Sequence, residues 1–145
     1  MVRQHDDESL RPIEVIPRFL ERQPASVLYA SGATRVLCTA ILEPGIPPFL
    51  EGRSMGWATA EYNLLPGATL PRHPRERWGK VSGRTHEIQR LIGRALRGVM
   101  DLPALAGYTL LLDCDVLQAD GGTRTASVNG AYVAAELRVR AALKE

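Results

Sequence analysis

The stretch YTLLLDCDVLQADGGTRTAS, residues 108 to 127, constrains the fold more than any other part of the chain. Extended, residues 108 to 118 put Tyr108, Leu110, Leu112, Cys114 and Val116 on one face and Thr109, Leu111, Asp113, Asp115 and Leu117 on the other. That alternation reads as a strand. Two glycines, Gly121 and Gly122, then lead into an alanine-rich segment that reads as a helix from about Gly122 to Leu143. Glycines at such a junction let the backbone turn tightly and expose N–H groups. With the positive end of the helix dipole, those groups make a place for an anion. Thr123 and Thr125 add hydroxyls there, and Arg124 adds a charged fork. Neither G-x-x-x-x-G-K-[ST] nor G-x-G-x-x-G is present, so this is neither a P-loop nor a dinucleotide fingerprint. The alternative is a tight connection whose arginine points to solvent.

The rest of the chain supplies a sheet for that junction. PIEVIPR (12 to 18) reads as an edge strand, because proline flanks and interrupts it. SVLYA and TRVLCTAIL read as a hairpin around Ser31 and Gly32, and WATAEYNLL (57 to 65) as another strand. EPGIPPFLEGRSMG (43 to 56) and PGATLPRHPRERWGKVSG (66 to 83) are loops, and the second is long enough to suggest a role. A helix starts near Thr85, its predicted N-cap, with Glu87 in its first turn. Ile88, Leu91, Ile92, Ala95, Leu96 and Val99 form its apolar stripe. The order implies an α/β (α+β) two-layer fold, a mostly antiparallel sheet with helices on one face.

Charge is concentrated. Residues 72 to 97 hold eight basic and two acidic side chains, a net +6 in a chain whose total is +2. Sixteen of the 18 basic residues are arginine, whose planar fork matches phosphate oxygens. That pattern suggests a polyanion met at one place; the alternative is a solvated helix face. Gly83 and Arg84 repeat the glycine–arginine logic at the start of the other helix, so two helix starts could converge on one phosphate. The other reading of Arg84 is a salt bridge. Asp113 and Asp115, about 7 Å apart on one strand face, read as partners of arginines rather than as a metal site. Asp120 reads as a cap or an arginine partner, and His86 as a surface residue. Trp57 reads as core, and Trp78, in the basic loop, as a base-stacking candidate.

Residues 1 to 10, MVRQHDDESL, lack the apolar core of a signal peptide and read as a flexible polar tail. No apolar run approaches the ~20 residues of a membrane helix. Cys38 and Cys114 read as buried free thiols of a reducing cytosol, which places the chain in the cytoplasm.

Together, LDCDVLQADGGTRTAS, SGRTHEIQRLIGRALR, GWATAEYNLLP and TRVLCTAI resemble the ribonuclease PH family. These are phosphate-dependent 3′-to-5′ exoribonucleases (tRNA nucleotidyltransferases) that trim tRNA precursors, with rRNA as a further substrate class. The resemblance runs from about residue 11 to residue 145, in register. It implies a domain over 11–145 with a β-β-β-α-β-α unit, the first half of a duplicated fold. It implies that Arg84, Gly122, Thr123 and Arg124 hold the attacking inorganic phosphate, the co-substrate, and that Arg72, Arg75 and Arg77 grip RNA. It also implies Mg2+ and a hexameric ring, a trimer of dimers, with the basic loop reaching across a subunit contact. The acidic catalytic residues belong to a second half that lies outside these 145 residues. The alternative within the family is a truncated, non-catalytic subunit that binds RNA or completes a ring.

Overall fold

The computed structural model describes residues 9–76 and 81–144. Five strands form one sheet: β1 (Ile13–Pro17), β2 (Ser26–Ser31), β3 (Thr34–Pro44), β4 (Trp57–Leu64) and β5 (Tyr108–Gln118). Two helices, α1 (Gly83–Arg97) and α2 (Thr123–Ala142), cover one side of it. The spatial order is β1-β2-β3-β5-β4. β1, β2, β3 and β5 pair antiparallel, while β4 runs parallel to β5. The chain leaves β4, passes through α1 and returns as β5 between β3 and β4, as a parallel neighbour requires. The two-layer α/β reading therefore holds, with four strands before α1 and one parallel pairing. Local alternation marks a strand but does not encode its direction.

The hairpin between β2 and β3 turns on Gly32, whose φ of 59° lies in the left-handed region. The buried sheet face carries Val27, Tyr29, Val36, Cys38, Ala58, Tyr62, Leu110, Leu112, Cys114 and Val116. Ile88, Ile92 and Leu96 of α1 meet it, as the apolar stripe predicts. α2 instead meets it with Ala126, Ser127, Gly130, Ala131, Ala134 and Ala135. Small residues bring this helix close. A Cβ at Gly130 would stand 2.6 Å from the Cys38 sulfur. Cys38 and Cys114 face each other across β3 and β5, both free, with sulfurs 3.8 Å apart. Hydrogen bonding to Cys38, with burial, holds the Cys114 thiol well above its usual range.

Three local expectations change. Ser82, not Thr85, caps α1: the Ser82 hydroxyl accepts from the Thr85 N–H at 3.2 Å, and Thr85 is buried three residues inside. Glu87 then falls in the second turn. Trp57 is half-buried rather than core. It sits on the edge strand β4, where the Arg97 guanidinium lies 4.2 Å above its ring and donates to the Ala58 carbonyl at 2.8 Å. That contact also covers an otherwise open sheet edge. Asp113 and Asp115 find no arginine among the described residues. They line a polar hollow on the open sheet face with Thr39, Glu61 and Asn63. Burial, with the charges of Asp113 and Glu61, pushes the Asp115 carboxyl up.

Candidate anion site at two helix starts

The junction after β5 has the geometry its glycines suggest. Gly121 and Gly122 have φ of 79° and 68°, which L side chains adopt only at a cost. Gly122 is the N-cap of α2 and brings no side-chain hydrogen bond to the helix end. The first helical bond runs from the Ala126 N–H to the Gly122 carbonyl at 3.0 Å. The N–H groups of the turn before it have no intrahelical acceptor and point out along the positive end of the helix dipole.

The turn is held from outside. The buried Thr34 hydroxyl, at the start of β3, donates to the Gly121 carbonyl at 2.6 Å and accepts from the Asp120 N–H at 2.9 Å. Arg11 donates to the carbonyls of Asp120 and Gly121 at 2.8 and 3.3 Å. Asp120 thus meets an arginine through its backbone rather than its carboxylate. On the other side, the Tyr62 hydroxyl from β4 lies 3.0 Å from the Thr123 hydroxyl, and both groups are buried. Thr125 donates its hydroxyl to the Gly122 carbonyl at 2.9 Å. The two threonine hydroxyls expected to face an anion are therefore engaged with the protein. What the helix start presents outward is backbone N–H and Arg124.

The two helix starts do converge. Arg124 of α2 pairs with Glu87 of α1 at 2.7 Å, and both side chains are about half exposed. Arg84 lies three residues before Glu87, on the same helix face. It is exposed and has no ion-pair or hydrogen-bond partner among the described residues. Gly122, Thr123, Arg124 and Arg84 are thus gathered at one edge of the molecule, with Glu87 between the two arginines. His86 is exposed, as expected.

The basic loop approaches the same edge. Arg72 and Arg75 are exposed, while Arg77 and Trp78 lie outside the described residues. Glu76 tucks against the start of α1. Burial alone would raise its carboxyl, but the neighbouring Ser82 and Thr85, with His73 3.8 Å away, hold it below the ordinary carboxylate value. The loop is thereby tied back to the helix that carries Arg84. Sequence reasoning missed Thr34, Arg11, Tyr62 and Glu87. Arg11 and Thr34 are 109 and 86 positions from Asp120, so no local pattern could report them.

Residues 9–136 match the domain described as "3' exoribonuclease family, domain 1". A ribonuclease PH from Rhodopirellula baltica is 61% identical over 137 residues, covering 94% of this chain and 55% of that protein. One from Syntrophomonas wolfei is 55% identical over 129 residues, covering 88% of this chain and 54% of that protein. The chain thus spans about half the length of these curated relatives. Among solved structures, rice Rrp46 superposes with a TM-score of 0.75 at 19% identity, over 94% of this chain and 58% of its own. A subunit of an Archaeoglobus fulgidus exosome with RNA bound to the active site gives 0.74 at 26% identity, over 87% of this chain and 51% of its own. On the family match and the identities together, the chain belongs to the 3′ exoribonuclease family of ribonuclease PH.

Proposed function

We propose that this domain holds inorganic phosphate at the start of α2 and sets it against the 3′ end of an RNA. The observation that carries the reading is the uncapped, double-glycine helix start beside Arg124. Oriented N–H groups and a guanidinium fork suit a phosphate oxygen set. Arg84 adds a second charge from α1. Glu87 already occupies part of the Arg124 fork, which has five donors and leaves others for an anion.

The reaction that follows is phosphorolysis. A phosphate oxygen attacks the phosphorus that joins the last nucleotide to the one before it. The bond from that phosphorus to the 3′ oxygen breaks, and the 3′ oxygen takes up a proton. The products are a nucleoside diphosphate and an RNA shortened by one nucleotide. Two anions must meet, so repulsion is the main obstacle. Arg84, Arg124 and the α2 N–H groups offset it for the attacking phosphate. Arg72, Arg75 and Arg77 hold the RNA backbone. The substrates are tRNA precursor 3′ ends, with rRNA as a further class, and the working form is a hexameric ring in the cytoplasm. Among the described residues no group of three or more His, Cys, Asp or Glu is arranged to hold a metal such as magnesium, the carboxylates lining the open-face hollow included.

A second reading is a non-catalytic subunit that binds RNA within a ring. It is favoured by the superposition on an exosome subunit. Nucleoside diphosphate release from a 3′-tailed tRNA precursor separates the two. Release that needs added phosphate and is lost in Arg124→Ala supports the enzyme. Bound RNA with no release supports the binding subunit.

A further inference from the structure

The phosphate turn depends on a residue that never reaches the anion. We infer that Thr34 is the positioning residue of the anion site, acting through the Asp120 N–H and the Gly121 carbonyl; this rests on the phosphate reading above. A turn with glycine at two successive positive φ values has little intrinsic preference for one shape. Something outside the turn has to choose that shape. Thr34 is placed to do so. It is fully buried at the first position of β3, and its hydroxyl uses both capacities on this one turn. It accepts from the Asp120 N–H at 2.9 Å and donates to the Gly121 carbonyl at 2.6 Å. One side-chain oxygen therefore ties down the Ala119–Asp120 and Gly121–Gly122 peptide planes, immediately before the helix start.

The sheet is built to bring that hydroxyl to the turn. The β3–β5 ladder shifts register between Arg35 and Val36, so that Arg35 opposes Gln118 while Val36 opposes Val116. An extra residue of β5 is accommodated there, which bends the end of the strand. Thr34 stands just past this irregularity, where β5 gives way to the glycines. Arg11 donates to the Asp120 and Gly121 carbonyls, and Tyr62 fixes Thr123 from the far side. Among the described residues only Thr34 satisfies a donor and an acceptor of the turn at once. Valine in its place keeps the shape but leaves the Asp120 N–H without its partner and the Gly121 carbonyl with only the long bond from Arg11, and a buried donor so orphaned is costly. The turn then relaxes, and the outward N–H groups of α2 lose their common aim.

The test is the binding of inorganic phosphate to the purified chain by calorimetry, with hydrogen exchange at the Asp120 amide read alongside. Thr34→Val should weaken phosphate about tenfold and speed Asp120 exchange, while Thr34→Ser, which keeps the hydroxyl, should restore both to near the parent values. Ile92→Val, a core change in α1, should lower the melting temperature without moving phosphate affinity. A parent chain that binds phosphate no better than Thr34→Val binds it overturns the inference and leaves the site reading standing. So does an equal loss in Thr34→Ser, or in Ile92→Val. A parent chain that ignores phosphate altogether overturns the site reading, and the inference with it.

Discussion

The two helix starts differ in how they are finished. α1 begins in the ordinary way, with the Ser82 hydroxyl accepting from the Thr85 N–H, so its own side chain closes its end. α2 begins on a left-handed glycine with no side-chain cap, and its turn is held by residues far away in sequence. A side-chain cap takes up one of the end's N–H groups, whereas an uncapped end keeps them all for a ligand. The contrast assigns different duties to the two elements. α2 supplies the backbone cradle and Arg124. α1 supplies only side chains, Arg84 and Glu87, to the same edge.

Several changes should sharpen or break that contrast, beginning with the largest. Arg124→Ala should reduce phosphate-dependent nucleoside diphosphate release by about 100-fold, the scale of losing one charge-stabilising donor. RNA binding, read by filter retention, should stay near the parent value. Gly122→Ala should cost about 1–2 kcal/mol of stability, because alanine is strained at a left-handed φ, and should weaken phosphate as well. Gly83→Ala at the α1 start is the matched control. No atom stands within 4 Å of the added methyl, and the position has no positive φ, so thermal unfolding should show little change or a small gain. Ser82→Ala should cost about 1 kcal/mol of helix stability and leave phosphate affinity alone. If it weakens phosphate as strongly as Gly122→Ala does, the division of duties between the helices is wrong.

The smallest effect concerns acid. The folded state holds the Glu76 carboxyl below its ordinary value, so the folded protein binds fewer protons there than the unfolded chain. The stability this contributes is present above the unfolded carboxylate pKa and is lost as pH falls through the lower, folded one. Glu76→Gln should therefore flatten acid unfolding below about pH 4.5 and change little at neutral pH. Asp115 has the opposite sign: burial and the neighbouring Asp113 and Glu61 raise its carboxyl. Asp115→Asn should raise the melting temperature at neutral pH, and a lower value would contradict the absence of a cationic partner.

The same contrast explains what could be read from the sequence. The α2 start was legible because two adjacent glycines and an arginine at the end of an alternating strand leave few other shapes. The α1 start was placed three residues late. Ser82 and Thr85 are both capping residue types, and only the buried position of Thr85 decides between them. Asp113 and Asp115, on one strand face, were expected to pair with arginines rather than to share a metal. Their actual neighbours, Glu61 and Asn63, arrive through the parallel β4–β5 pairing, and local alternation does not report strand direction. Thr34 gave no signal, since its only distinction is a contact to a residue 86 positions away.

The most direct measurement is an inorganic phosphate titration followed at the backbone amides of the labelled chain. The account predicts saturable shifts at Gly121 to Thr125 and at the Arg84 and Arg124 side chains, with the capped Thr85 amide moving least. Shifts spread over the basic loop alone, or centred on the α1 start, would contradict the assignment of the phosphate cradle to α2.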